Sequence, residues 1–314
     1  LMTSLRIRVA VLGFLAAVPM CGTALAAAAQ TTVASPAQQA AGSNDKVWYL
    51  ALGDSLSVGF QPNKGETDKG YVDNLSRRVR EHVPSLALRN VGCAGETSRS
   101  LITGAHSPCR YVAGSQLDAA LAFLKAHPGR IGFITVDIGA NDLLRRCLDG
   151  HGVIDLACTT EQGPRMQART ERIVDALRSA AGPNVPILGM KYYNPFLGYW
   201  GNVPGGRSIA RADQRAWVVF NEALTSAYES AGATVADVAA TFRIDDFAGT
   251  VMLPDGRVVP VNVALACEWT WFCSKFATDP HANNIGYRKI GRTFYDTLLA
   301  LVSSHTMRLK QSPT

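Results

Sequence analysis

From Val47 onward the spacing of apolar positions switches repeatedly between two patterns. Val47 to Leu52 is an unbroken apolar, aromatic-rich run closed by Gly53, which predicts a buried strand. Tyr71, Leu75 and Val79 then recur at helical spacing until Pro84, and Leu86 to Val91 reads as a second strand. Leu117, Leu121 and Leu124 mark a helix closed by His127-Pro128, and Ile131 to Ile138 forms a third strand. Ile173, Val174, Leu177 and Ala181 share a helix face that stops at Gly182-Pro183, before a fourth strand at Val185 to Met190. Trp217, Phe220, Leu224, Ala227 and Tyr228 give a further helix ended by Gly232. A short fifth strand follows at Thr234 to Val238, and Ile285, Ile290, Phe294, Leu298 and Leu301 give the last helix. Strands alternating with helices predict an α/β domain whose parallel sheet is covered on both faces. A site in such a sheet lies at the carboxyl ends of its strands.

Two stretches depart from that alternation. Tyr192 to Arg207 is aromatic and Gly-rich, with Tyr192, Tyr193, Phe196, Tyr199 and Trp200. Phe242 to Phe276 reads as a hairpin turning at Pro254-Asp255-Gly256, followed by a loop holding Trp269, Trp271 and Phe272. Such aromatics form either a satellite core under the loops or the wall of a substrate site, and the pattern leaves both open. No internal repeat is visible.

The chain before this region has a different character. Arg6 and Arg8 precede a nearly unbroken apolar run from Val9 to Met20, and Ala24-Leu25-Ala26 is a small-x-small cleavage pattern. Residues 1–26 are therefore expected to be a secretory signal peptide, since a run of that length holding Gly13 and Pro19 is too short to span a bilayer. Cys21 suggests a lipoprotein, but Met20 stands before it where a small residue is expected. Residues 27–45, rich in Ala, Gln, Ser and Thr, read as a flexible spacer. The domain is expected over 46–303 and a C-terminal tail over 304–314.

Charge and cysteine content refine this reading. Without residues 1–26, 29 basic residues face 25 acidic ones, a mild excess with no basic stripe interleaved with aromatics, so nucleic acid is not implied. Six cysteines remain: Cys93, Cys109, Cys147, Cys158, Cys267 and Cys273. An even count in an exported chain argues for disulfides, of which the sequential set Cys93–Cys109, Cys147–Cys158 and Cys267–Cys273 is the simplest among many connectivities. Zinc is the rival reading, but neither Cys-x-x-Cys nor His-Glu-x-x-His spacing occurs, and no metal is expected.

The first three strands each end in polar residues. These are Gly53-Asp54-Ser55-Leu56, then Asn90-Val91-Gly92-Cys93-Ala94-Gly95-Glu96-Thr97, then Asp137-Ile138-Gly139-Ala140-Asn141-Asp142. Thr278-Asp279-Pro280-His281-Ala282-Asn283 precedes the last helix. Gly-Asp-Ser alone is a common turn. Together, though, the four stretches hold what ester cleavage by serine requires: a nucleophile, a base, a group that orients the base, and donors for the oxyanion.

These four stretches resemble, in order, the blocks of the SGNH or GDSL hydrolases, over about Trp48 to Leu301. The resemblance implies a three-layer α/β/α sandwich, flavodoxin-like, on a five-stranded mainly parallel sheet. It implies Ser55 as nucleophile, His281 as general base, and the Ser55 N–H, the Gly95 N–H and the Asn141 amide as oxyanion donors. The last block of that family often carries Asp three residues before His; here that position is Thr278, while Asp279 stands two before. Variants with Asp two before His also occur in the family, so Asp279 is assigned to orient His281. Ala282 replaces the usual Pro.

Asp54 and Asp142 are expected to fix their turns by hydrogen bonds to backbone. Asp137 is an alternative acid but falls inside a strand. His82, His106, His127, His151 and His305 lie outside the blocks, and Asp245-Asp246 reads as a solvated loop. The expected function is a secreted, cofactor-free serine carboxylic ester hydrolase, an esterase or lipase acting through an acyl-enzyme on a small-molecule or lipid ester. Polysaccharide O-deacetylation, thioester hydrolysis or acyl transfer on the same site are the nearer alternatives, with an acetylated glycan as a substrate in the first. A non-catalytic binding module is a more distant one. The protein is expected to be monomeric, without a membrane span.

Overall fold

Strand β1 (Val47–Gly53) is flanked by parallel partners on both edges, and its residues from Tyr49 to Leu52 are fully buried. In the computed structural model, residues 46–150, 152–253, 255–275 and 278–311 are described, with side chains of the last helix described through 303. The sheet runs β2 (Leu86–Asn90), β1, β3 (Ile131–Asp137), β4 (Ile187–Lys191), β5 (Thr234–Asp237), every neighbouring pair parallel. This is the flavodoxin-like order, in which the direction of strand addition reverses beside β1. The crevice for a site therefore opens over the carboxyl ends of β1 and β3.

Helices fill the connections. Helix α1 (Tyr71–Arg80) follows β1; α2 (Ser98–Thr103) and α3 (Gln116–Ala126) follow β2; α4 (Ala140–Cys147) and α5 (Leu156–Ala181) follow β3. A 3₁₀ turn at Pro195–Gly201 and α6 (Gly206–Ser230) follow β4. Beyond β5 come α7 (Val238–Thr241), the hairpin β6 (Thr250–Met252) and β7 (Val258–Pro260), α8 (Val261–Trp269) and α9 (Asn284–Gln311). Helix α1 packs against α9, and α5 packs against both α3 and α6; the right-handed crossovers that parallel strands follow put these two groups on opposite faces of the sheet. Two layers of helices thus enclose the sheet.

The pattern of apolar residues located all five strands of the sheet but not every helix. The short α2 and α4 begin in the polar motifs that end β2 and β3. Helix α5 starts well before the expected face and carries Pro164 inside it. Within the stretch expected to be a hairpin and loop, the hairpin is present, but α8 occupies Val261–Trp269. Helix α9 runs to Gln311, so the stretch from 304, expected to be a tail, is helical as far as that residue. The signal peptide expected at 1–26 and the spacer expected at 27–45 lie outside the described residues. Disulfides join Cys93 to Cys109, Cys147 to Cys158 and Cys267 to Cys273. Among the described residues no helix is long and apolar enough to cross a membrane.

Packing of α6 on the sheet depends on a missing side chain. The ring of Tyr228 lies flat against Gly189 of β4, where a Cβ would overlap it, and its hydroxyl reaches the Val136 carbonyl at 3.4 Å. Gly189→Ala should therefore act as an overpacking change, costing about 1–3 kcal/mol and lowering Tm by roughly 2–12 °C in calorimetry. An unchanged Tm would mean that the ring is free to shift.

Candidate active site

The turn after β1 is held from several directions. The Gly53 N–H donates to Gln116 Oε1 at 2.7 Å, and its carbonyl accepts from Gln116 Nε2 at 3.0 Å and from the Cys93 N–H at 3.1 Å. A Cβ at Gly53 would overlap Asp137 Oδ1, so only glycine lets β1 and β3 close on each other here. Beyond it, Asp54 Oδ1 accepts the Leu56 N–H at 3.0 Å, and Ser57 Oγ donates to the Asp54 carbonyl at 2.7 Å. The tight bend leaves Ser55 at its crest, 9% exposed.

His281 meets it from the far end of the chain. Ser55 Oγ lies 2.7 Å from His281 Nε2, and His281 Nδ1 lies 2.7 Å from Asp279 Oδ1. A carboxylate only accepts, so Nδ1 carries the ring proton and Nε2 presents its lone pair to the serine hydroxyl. Asp279 Oδ1 also takes the His281 N–H at 2.9 Å, which closes the Asp-Pro-His segment on itself. Partial burial pushes the Asp279 carboxyl up, but hydrogen bonds from the His281 ring and backbone, with the ring's charge, outweigh it and hold the group below its ordinary value. The Phe60 ring packs on the imidazole at 4.6 Å, the Tyr193 hydroxyl donates to the Pro280 carbonyl at 2.9 Å, and the Trp271 N–H donates to the His281 carbonyl at 3.0 Å.

Asn141 stands in the first turn of α4 and donates one amide proton to the Glu96 carbonyl at 2.9 Å, leaving its second N–H free to act. Gly95 lies on the same loop, at φ +82°, a left-handed conformation suited to glycine. Its carbonyl is held by Arg145 Nη2 at 2.7 Å. Among the described residues, neither the Ser55 N–H nor the Gly95 N–H donates to a protein acceptor. Ser55, Asn141 and His281 line a cavity of about 120 Å³, completed by Leu144, Tyr192, Tyr193, Pro195 and Trp217. Gly95 is outside that lining.

The aromatic loops divide between the two roles left open for them. Tyr192 and Tyr193 are walls of the cavity. Phe196, Tyr199 and Phe272 instead pack on one another at 4.9–6.0 Å as a satellite core.

Beneath the serine is a buried network that the motifs did not reveal. Asp54 and Asp137 end adjacent strands with their carboxyl groups in hydrogen-bonding contact, both fully removed from water. The Tyr192 hydroxyl donates to Asp54 Oδ2 at 3.0 Å and the Tyr71 hydroxyl to Asp137 Oδ1 at 2.6 Å. Burial pushes both acids up, and the neighbouring Asp54 charge pushes Asp137 well above the ordinary carboxyl range, so the pair favours holding a proton. Parallel pairing of Gly53 with Asp137 is the signal that brings the two acids together. Gln116, which braces Gly53, comes from the start of α3 and has no motif to mark it.

Other polar candidates take structural places. Asp142 accepts from Ser98 N–H and Ser98 Oγ, both at 2.7 Å, joining α4 to α2. Asp245 accepts from Gln214 at 2.6 Å, and Asp246 accepts the Gly249 N–H at 2.9 Å. His127 Nδ1 bonds the Phe123 carbonyl, and His82 stacks near Tyr295. His151 and the side chain of His305 lie outside the described residues.

A sequence model of the GDSL-like lipase/acylhydrolase family matches residues 51–289. No curated protein matches the chain in sequence. Among solved structures, the lipase Lip_vut3 from a goat rumen metagenome superposes with a TM-score of 0.51 at 17% identity, covering 80% of this chain and 97% of that one. A Parabacteroides merdae protein described as a GDSL-like lipase gives 0.52 at 15% identity, covering 81% and 95%. At these identities the likeness is one of fold.

The buried acid pair makes stability depend on pH. The raised acid pair favours a proton in the folded state that the unfolded chain releases near the ordinary Asp value of 3.8. This contribution is complete below that value and is lost as pH rises toward the raised one. Asp137→Asn mimics the neutral acid and removes the dependence. Chemical denaturation from pH 4 to pH 8 should show wild-type stability falling relative to the variant; parallel curves would mean that Asp137 is ionised in the folded protein.

Proposed function

The chain belongs to the GDSL-like lipase/acylhydrolase family, and from that membership we propose that it is a serine carboxylic ester hydrolase for short-chain acyl esters. The observation that carries this reading is the continuous hydrogen-bonded line from Ser55 Oγ through His281 to Asp279, each link 2.7 Å. His281 Nε2 takes the hydroxyl proton as Ser55 Oγ bonds to the ester carbonyl carbon. The carbonyl π-pair moves onto oxygen, where the N–H groups of Ser55 and Gly95 and the Asn141 amide are the proposed donors. Collapse breaks the bond to the alcohol oxygen, which leaves with the proton from His281. Water repeats the sequence on the acyl-serine and releases the acid. Asp279 keeps the ring in the productive tautomer and stabilises the imidazolium.

The preference for short acyl chains is inferred from the size of the cavity, which is open on one side. At about 120 Å³ it is smaller than one able to hold benzene, about 150 Å³, and so suits an acyl group of a few carbons. Three disulfides favour an oxidising compartment, consistent with export.

Hydrolysis of p-nitrophenyl esters from acetate to palmitate is the direct test. Turnover should peak at or below about six acyl carbons, following the cavity volume. Ser55→Ala should abolish it while the fold is kept, and Asn141→Ala should lower kcat by about 10²–10³. Undiminished turnover in Ser55→Ala would overturn the assignment.

A further inference from the structure

A second and larger cleft, of about 340 Å³, adjoins the serine site and shares Asn141 with it. Its walls come from three separated stretches: Thr97 to His106, Asn141 to Arg146, and Arg169. Four guanidinium groups line it, from Arg99, Arg145, Arg146 and Arg169. Asp142 is the one carboxylate in that lining, and it is already committed to Ser98 and, at 3.4 Å, to Arg169. Arg145 is committed to the Gly95 carbonyl.

Arg99 and Arg146 remain. Among the described residues, neither guanidinium has a hydrogen-bond or ion-pair partner. Arg146 in the last turn of α4 is favoured by the negative end of that helix. The same argument does not extend to Arg99, which sits in the first turn of α2, where a cation gains nothing from the helix. Asp142 is the single counter-charge among these four cations, and the three exposed arginines Arg99, Arg145 and Arg146 leave a positive potential over the cleft that salt screens and that an anionic ligand would meet. Guanidinium forks suit carboxylate and phosphate oxygens.

We propose that this cleft receives an anionic group on the alcohol portion of the substrate, so that the preferred substrate is a short-acyl ester of an acidic alcohol. The inference rests on the esterase reading above. The two cavities meet at Asn141. A substrate whose carbonyl oxygen is held there, with its acyl group in the smaller cavity, leaves its alcohol portion outside that cavity and beside the larger one. An anion in the cleft would also bear on Arg145, and through it on the loop of Gly95.

The test uses the intact protein and butyrate esters of three phenols: 4-carbamoylphenol, 4-hydroxybenzoate and 4-phosphonophenol. At low salt, kcat/KM for at least one anionic ester should exceed that for the carbamoyl ester by about tenfold, as expected of a charge-assisted contact. The advantage should shrink as salt is raised. The larger of the two anionic advantages assigns the cleft to carboxylate or to phosphate. In the double variant Arg99→Gln, Arg146→Gln the ratio of anionic to carbamoyl ester should fall toward one; the ratio, not either rate, is the readout. Turnover of the carbamoyl ester with no anionic advantage would overturn this inference and leave the esterase reading intact. A larger gain from a charge on the acyl side, read with phenyl hemisuccinate against phenyl butyrate, would also overturn it. Failure to cleave any of the esters would overturn the esterase reading and this inference with it.

Discussion

The backbone of Gly53 is where the strands, the loops and the chemistry of this protein meet. Its N–H and carbonyl are both taken by one glutamine side chain, its carbonyl also anchors the loop after β2, and its α-carbon is in close contact with the carboxyl of Asp137. Three parallel strands are thereby drawn together at their carboxyl ends. Buried polar groups are costly when unpaired. This cluster pairs two tyrosines, two acids and a glutamine in one connected set, so its geometry is strongly specified. Ser55 inherits that precision, being two residues beyond the glycine and held by the same turn.

The surroundings of the serine are of two kinds. On one side the aromatic loops are packed largely on themselves, and what space they leave is small and apolar. On the other side the wall is made by short helices and carries long cationic side chains, several of them exposed. The contrast arises from connection length. The segment after β4 is long and rich in rings that can bury one another. The segments after β2 and β3 enter short helices almost at once and leave their arginines at the rim.

Much of this was legible in the sequence because it is local. A continuous apolar run ending in glycine marks β1 whatever its neighbours are, and Gly53-Asp54-Ser55, Gly139-Ala140-Asn141-Asp142 and Asp279-Pro280-His281 are contiguous stretches. What escaped is assembled across the fold. Gln116 and Tyr71 are ordinary residues on ordinary helices until the sheet places them against Gly53 and Asp137. The arginine cleft draws on three separate stretches, and no window of sequence contains them together. Helix α8 was hidden for another reason: it is apolar around most of its circumference, so it shows no face by which periodicity could find it. Pro164 disguised the first half of α5 in the same way, by interrupting a pattern without interrupting the helix.

Ser55 and His281 are separated by 226 positions along the chain. A ribosome adding roughly 5–20 residues per second takes on the order of 10–45 s to travel that distance. Throughout that interval the growing chain carries Ser55 without His281. Ser55 gains its hydrogen bond to an imidazole only when the segment before the last helix docks. Order of synthesis thus acts as a timer: the 2.7 Å contact between Ser55 and His281 forms only when the end of the domain has been made and has closed on its beginning.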